Sequence, residues 1–286
     1  MPELPEVETL RRELNKVLLQ KKIKAIEVLW AGTIRPFSPT AFKKQLLGQT
    51  ITSLDRRAKM LIVNFTSPLK LLVHLKMTGQ LIFVSAKGAK NGGGHTITDF
   101  DVPNKHTRVI FTFTDNSHLH YNDLRKFGWI KIATEAELEE KISGVGIEPL
   151  SAKFTPKVLQ EIFQKYPNRS LKKILLDQTL IAGIGNIYAD ESCFLAGLRP
   201  DRLAKTLTPI QLKKLHQNIV AVLKLSLKNK GTTSNNYCRS TGERGNFSSL
   251  LKVYDRRGEA CLVCKKPIQK FKHAGRGTHF CAYCQK

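Results

Sequence analysis

The chain reads as a multidomain α+β protein: an N-terminal helix plus an antiparallel β-sandwich, then a helical region, then a small C-terminal module. Three observations predict this. Short β-type runs separated by turn residues fill the first half, and none alternates with long helices, which suits antiparallel pairing. Near Thr134 the apolar spacing turns helical, with start signals ahead of each stripe. The tail from Leu250 carries two Cys-x2-Cys pairs, Cys261-Leu262-Val263-Cys264 and Cys281-Ala282-Tyr283-Cys284. A chain of 286 residues with 41 % hydrophobic content is long enough for two or three domains with real cores.

The first helix is expected within the opening Met1-Pro2-Glu3-Leu4-Pro5-Glu6-Val7-Glu8-Thr9. Proline is tolerated in a first helical turn, and three glutamates suit the positive end of a helix dipole. Leu4, Val7, Leu10, Leu14 and Val17 form one apolar stripe. Strand-like runs follow at Ile23–Leu29, Lys59–Phe65, Leu69–Leu75, Arg108–Phe113, Ser117–Tyr121 and Trp129–Ile132. Lys87–His95, with Gly92-Gly93-Gly94, reads as a flexible surface loop. Thr134 and Glu137 have capping-box spacing. Thr155-Pro156, Ser170 and Thr208-Pro209 each open a helix, and Gly231 is a stop for the last. Between them an apolar helix is expected to end at Gly183, a tight Gly-x-Gly to follow, and a new helix to begin near Asn186, whose exposed amides would accept a phosphate. Gly231–Asn246, rich in Ser, Thr, Asn and Gly, reads as a mobile loop.

Charge narrows the partner. The net charge is +24, and it is uneven: residues 1–150 hold 22 basic and 15 acidic side chains, residues 151–286 hold 25 and 8. Such a surplus points to a polyanion, nucleic acid first, with the second half as the main phosphate-binding part. No apolar stretch has the length of a membrane span, and the N-terminus lacks a charged-then-apolar signal pattern, so a cytoplasmic protein is expected. Six cysteines in a reducing compartment argue for metal or free thiols.

Two stretches carry chemistry by themselves. Cys261, Cys264, Cys281 and Cys284 have the spacing of a tetrahedral Zn²⁺ site with four thiolates, closed and therefore structural; a disulfide pair or an iron–sulfur site is the alternative. Its role would be to hold the Gly275-Arg276-Gly277 turn rigid, and Lys265, Lys266, Lys270, Lys272 and Arg276 crowd it as phosphate contact requires. Cys193 and Cys238, in a helix and a loop, read as free thiols. At the other end, loss of Met1 would expose the secondary amine of Pro2. An α-amino group titrates at about 7.7–8.0, against about 10.4 for a lysine, so it is a ready nucleophile for a carbonyl-like carbon. Glu3 stands beside it.

The opening Pro-Glu-Leu-Pro-Glu-Val-Glu-Thr resembles the start of bacterial formamidopyrimidine-DNA glycosylases (8-oxoguanine DNA glycosylase/abasic-site lyases), and the likeness continues in order along almost the entire chain. Leu176–Glu191 looks like that family's helix–two-turn–helix, and the four-cysteine tail like its zinc finger. Arg56-Arg57-Ala58-Lys59, His74-Leu75-Lys76-Met77-Thr78-Gly79, Lys105-His106 with Arg108, and Tyr121-Asn122-Asp123-Leu124-Arg125-Lys126-Phe127-Gly128 match further family segments. Lys76 stands where Gly is frequent and Leu124 where Pro is frequent, and Cys238 falls in the region that folds over an extruded base. The resemblance implies three domains: a catalytic β-sandwich over 1–133, a helix–two-turn–helix domain with a lesion-capping loop over 134–246, and a zinc finger over 247–286.

It also implies roles. Pro2 would attack the sugar carbon, Glu3 would serve as general acid/base, and Lys59 and Arg276 would complete the catalytic set at phosphate. Glu6 would position the flipped nucleotide. Met77 and Phe127 would fill the gap it leaves, and Arg125 would donate to the orphaned base. His106, Arg108 and Asn186 would contact the DNA backbone. The expected partner is double-stranded DNA bearing oxidised bases or abasic sites, bound by a monomer in the bacterial cytoplasm at the nucleoid, with one structural Zn²⁺ and no membrane. Two rivals are the sister branch acting on oxidised pyrimidines, which the continuation after Glu3 disfavours, and a non-enzymatic zinc-ribbon DNA-binding protein.

Overall fold

Helix α1 (Leu4–Leu18) organises the first half. Its buried stripe is Leu4, Val7, Leu10, Leu14 and Leu18; Val17, expected on the stripe, is only partly buried and packs against the core. The computed structural model describes residues 1–94, 101–232, 238–239 and 246–286, and its contacts divide the chain into two units: Met1–Ser143 with Asn229–Asn246, and Gly144–Lys228 with Phe247–Lys286.

In the first unit α1 is followed by β1 (Ile23–Val28), α2 (Pro39–Leu46), β2 (Ile51–Arg57), β3 (Met60–Phe65), β4 (Lys70–His74), β5 (Gly79–Val84), β6 (Lys90–Gly94), β7 (Thr107–Phe113), β8 (His118–Asp123), β9 (Trp129–Ala133) and α3 (Glu135–Ser143), with β10 (Cys238–Arg239) returning later. Among the described residues the strands form two antiparallel sheets, ordered β1-β7-β8-β5-β6-β10 and β2-β3-β4-β9. Alternate residues of each sheet, such as Val109, Phe111 and Phe113 of β7 and Leu61 and Val63 of β3, meet α1 and Phe42 of α2 in one core. The other face of the smaller sheet packs Met60, Ile62 and Leu72 on Leu138 of α3. The Thr134–Glu137 capping box that starts α3 forms as its spacing predicts, with the Thr134 N–H donating to Glu137 Oε2 at 2.7 Å.

Two expectations need correction here. Lys87–His95 is not a loop as far as it is described: Lys90–Gly94 is strand β6, paired with β5 from Val84↔Lys90 to Gln80↔Gly94 through a turn in which Gly88 has φ +83°. Polyglycine hides a strand because pairing uses only the backbone; here the strand lies against α1, where a close backbone approach suits residues without Cβ. His95 lies outside the described residues. Gly231–Asn246, read as a loop, contains β10, which pairs Cys238↔Gly94, and an isolated bridge joins Thr232 to Asn246; residues 233–237 and 240–245 are outside the description.

The second unit comprises α4 (Pro156–Lys165), α5 (Leu171–Leu176), α6 (Asn186–Ala196), α7 (Pro209–Lys228), β11 (Gln269–His273) and β12 (Arg276–Phe280). Thr155 caps α4 as expected, accepting the Val158 N–H. Leu159, Phe163, Leu171, Ile174, Tyr188, Leu215, Ile219 and Leu223 make its core. The helix expected to reach Gly183 stops at Leu176. Asp177 and Gln178 cause the early stop: Asp177 Oδ1 accepts the Thr179 N–H and hydroxyl, and Gln178 accepts the Gly183 N–H while donating to Ile184 O and Leu176 O. The next helix starts at Asn186 as expected, and α7 ends at Lys228, before the left-handed Lys230 and Gly231.

Candidate active site and metal centre

The head of α1 is a buried acidic corner. Glu3 caps the helix in a reciprocal capping box: its carboxylate accepts from the Glu6 backbone, and Glu6 Oε2 accepts the Glu3 N–H at 2.9 Å. Glu6 Oε1 also takes the Thr232 N–H at 2.8 Å, so this carboxylate ties the start of α1 to the segment beyond α7. Gly231 allows the approach, since a Cβ there would lie 3.1 Å from Glu6 Oε1 and its φ is +85°. Pro2, Glu3 and Glu6 are all buried.

Lys59 sits in the β2–β3 turn, not within β3, and is only 6 % exposed, which removes the reading of a solvated strand-edge lysine. The turn is held near α1: Arg56 donates to Glu8 Oε2 at 3.2 Å and to Ala58 O at 2.7 Å, and Ala58 takes φ +54°. Met60, next to Lys59, pairs with His74 across the sheet. Burial, with the charges of Lys76, Lys59 and Lys141, lowers the His74 pKa to about 3, so the ring is neutral and its Nδ1 accepts the Lys76 N–H at 3.0 Å. Lys76 has φ +50°, the backbone that glycine adopts freely.

Met77 follows, 37 % exposed, and Phe127 is 54 % exposed. The residues by themselves suggest core; the structure puts both at the surface. Arg125 is also exposed, with its guanidinium carbon 4.6 Å from the Phe127 ring centroid. Pairing of Gly79↔Asp123 at the end of β5 and β8 brings the Met77 turn and the 124–127 loop to one sheet edge. Half-buried His106 lies in the turn before β7, and its carbonyl accepts the Asp123 N–H. Arg108 is spent partly on the protein itself, donating to Asp123 O at 2.9 Å and Lys105 O at 3.1 Å.

In the second unit Asn186, first residue of α6, donates from its amide to Gly277 O at 2.9 Å and so touches the hairpin that carries Arg276. The hairpin β11–β12 turns at Ala274 and Gly275, both at positive φ. Four sulfurs, of Cys261, Cys264, Cys281 and Cys284, lie within 4.8 Å of one another. A tetrahedral Zn–S bond of ~2.3 Å requires sulfurs about 3.8 Å apart; Cys261–Cys284 at 3.9 Å and Cys264–Cys281 at 3.4 Å fit. The four thiols make one structural Zn²⁺ site, with no position left open for chemistry.

Sequence reasoning passed over the residues that brace these parts. Lys172 and Asp190, both fully buried, pair at 2.6 Å; Lys172 also donates to the Thr278 hydroxyl at 2.8 Å, and Asp190 accepts the His279 N–H at 2.9 Å. Glu191 accepts the N–H groups of Lys252, Val253 and Tyr254, and burial outweighs those bonds to raise its pKa. The usable signal is an ionisable residue on an otherwise apolar helix stripe, which is expensive unless paired.

Known proteins agree with this architecture along its length. Family models match at residues 1–130 (formamidopyrimidine-DNA glycosylase N-terminal domain), 145–237 (formamidopyrimidine-DNA glycosylase H2TH domain) and 258–286 (zinc finger found in FPG and IleRS). The formamidopyrimidine-DNA glycosylase of Geobacillus kaustophilus is 41 % identical and that of Bacillus licheniformis 42 %, each aligned over 100 % of both chains. A Lactococcus lactis FPG mutant solved with a Fapy-dG containing DNA shares 34 % identity at a TM-score of 0.89, over 100 % of both chains. The wild-type Lactococcus lactis protein, solved with an oxidised pyrimidine containing DNA, shares 34 % identity at 0.87, also over 100 % of both chains. With the acidic helix head, the exposed Met77–Phe127 edge and the four-cysteine finger each in place, the chain belongs to the formamidopyrimidine-DNA glycosylase family.

Proposed function

We propose that the protein is a base-excision-repair enzyme that removes oxidised purines, 8-oxoguanine and formamidopyrimidines, from duplex DNA and then cuts the abasic strand. The observation that carries the reading is Pro2 placed directly before a buried Glu3 that caps α1. Once Met1 is removed, the Pro2 nitrogen has a lone pair and attacks the sugar carbon, and the damaged base departs with the bonding electrons. Glu3 passes a proton to the opening sugar. The iminium so formed acidifies the neighbouring sugar proton, and loss of that proton expels the 3′ phosphate; loss of a second sugar proton, next along the conjugated chain, expels the 5′ phosphate, and water hydrolyses the iminium to free Pro2.

The reacting carbon is shielded in the stacked duplex, so the nucleotide must first swing out. Met77 and Phe127 fill the gap, and Arg125 donates to the orphaned base. Lys59 steadies phosphate at the attack site; Asn186, Arg276, His106 and Arg108 hold the DNA backbone. Glu6, which holds the backbone of Glu3 and Thr232, helps position the flipped nucleotide. Zn²⁺ holds the Arg276 hairpin and takes no part in the chemistry. The sites divide naturally into a catalytic portion over 1–133, a helical one over 134–246 and the finger over 247–286. Action as a monomer in the cytoplasm, at the nucleoid, is part of the same proposal; among the described residues no helix is long and apolar enough to cross a membrane.

Similarity to a protein solved with an oxidised pyrimidine supports a second, broader reading in which pyrimidine lesions are also accepted. Excision from duplexes carrying 8-oxoguanine or thymine glycol separates the two: excision of 8-oxoguanine alone supports the purine reading, excision of both supports the broader one, and preference for thymine glycol overturns the purine reading. DNA binding with no strand cutting on either would leave a zinc-ribbon binder instead.

A further inference from the structure

One buried carboxylate lies where the exposed wedge segments meet. Asp123 is fully buried at the end of β8. Its Oδ1 accepts from the Thr78 hydroxyl and from the Arg125 N–H at 3.2 Å, and its Oδ2 accepts the Gly128 N–H at 2.7 Å. Thr78 Oγ1 accepts the same Arg125 N–H at 2.9 Å. A single side chain therefore grips the residue after Met77, the start of the Arg125–Phe127 loop and its end. All these donors aim at one carboxylate, and no neutral side chain of that size offers two accepting oxygens. Tight packing adds to the grip: a Cβ on Gly128 would lie 1.8 Å from the Tyr121 hydroxyl and 3.1 Å from Asp123 Oδ2.

Pairing of β5 with β8 already brings the strands together, so the carboxylate is not needed to close the sheet. What it adds is a fixed relation between two surface segments that carry the exposed Met77, Arg125 and Phe127. We propose that Asp123, with Thr78, is a positioning residue for base extrusion: it locks the Met77 turn and the Arg125–Phe127 loop into one rigid piece, so that the three side chains enter the duplex together. A flexible pair of loops would be pushed aside by the stack instead of parting it. The inference rests on the wedge roles assigned under the proposed function.

The test uses stopped-flow fluorescence of 2-aminopurine placed beside 8-oxoguanine in duplex DNA, which brightens as bases unstack. Wild type, Asp123→Asn, Thr78→Val, Thr78→Ser and the Asp123→Asn/Thr78→Val double variant are compared, with thermal unfolding run alongside. Losing one buried hydrogen bond to a charged acceptor corresponds to about 10-fold in rate, so Asp123→Asn and Thr78→Val should unstack at least that much more slowly. The loss should fall on kcat with KM within about 3-fold. Thr78→Ser, which keeps the hydroxyl, should restore the wild-type rate, and the double variant should be no slower than Asp123→Asn. Cutting of a single-stranded abasic oligonucleotide, which has no stack to part, should be unchanged. Unstacking at the wild-type rate by Thr78→Val or by folded Asp123→Asn overturns the proposal; if Asp123→Asn does not fold, Thr78→Val decides. Wild type that cuts lesion DNA without brightening the reporter overturns it too, while wild type that neither brightens nor cuts overturns the functional reading first.

Discussion

Replacing Asp190 by Ala should unfold the second unit at markedly lower denaturant while replacing both Asp190 and Lys172 by apolar residues should not. The two side chains have no solvent exposure and meet at 2.6 Å. With Asp190 gone, the Lys172 ammonium keeps only the Thr278 hydroxyl at 2.8 Å and Gly277 O at 3.2 Å, two neutral acceptors for a buried charge, and the His279 N–H loses its acceptor. Removing one partner of such a pair costs about 3–5 kcal/mol, a large share of the ~5–15 kcal/mol that holds a typical protein folded. The Asp190→Leu/Lys172→Met double variant buries no uncompensated charge and should fall within about 1–2 kcal/mol of wild type. Urea unfolding followed by circular dichroism on the zinc-loaded protein measures both. A single variant that costs less than about 1 kcal/mol, or a double variant as damaged as the single, would show that the buried pair does not act in this way. Because Lys172 holds Gly277 and Thr278, the single variant should also bind duplex DNA more weakly through a misplaced Arg276.

Other consequences follow from the same contacts. Burial works against ionisation of Glu8, but hydrogen bonds from Arg11 and Arg12 and the charges of Arg11 and Arg56 outweigh it and lower its pKa to about 2 from 4.5. Its stabilising effect is therefore full above about pH 4.5 and is lost as the pH falls towards 2. Glu8→Gln should flatten that part of the stability profile, measured as denaturant midpoint against pH. Stripping zinc with a chelator should melt the β11–β12 hairpin, exposing Val253, Ile268 and Phe280, and abolish duplex binding; re-addition should restore both. Gly128→Ala must displace the Tyr121 hydroxyl or the His74 carbonyl, 1.8 and 3.0 Å from the new Cβ, and should cost about 1–3 kcal/mol in thermal unfolding with loss of base excision.

What the sequence disclosed depended on how local each signal was. The α1 stripe, the Thr134–Glu137 and Thr155 caps and the cysteine spacing are all set within a few residues, and each appears in the structure as read, save that Leu18 and not Val17 ends the buried stripe. Strand β6 was invisible because its three glycines carry no side-chain pattern; only its partner β5 makes it a strand. The helix predicted to reach Gly183 stops early because Asp177 and Gln178 bond backbone groups up to six residues away, a competition that periodicity does not register. Met77 and Phe127 would pass for core by type alone, and only the resemblance put them at a surface, where they lie. Asp123, Lys172 and Asp190 were silent for the opposite reason: their meaning lies in partners 45, 106 and 89 residues away, brought close by folding.

Excision depends on an unblocked Pro2 nitrogen acting as the nucleophile beside Glu3. Borohydride added while the protein acts on 8-oxoguanine duplex, followed by proteolysis and mass spectrometry of the DNA-linked peptide, tests it most directly. A reduced covalent adduct is expected, its peptide beginning at Pro2 and carrying the DNA on its nitrogen. An adduct on a lysine side chain, or complete base excision with no adduct and an intact Met1, would contradict it.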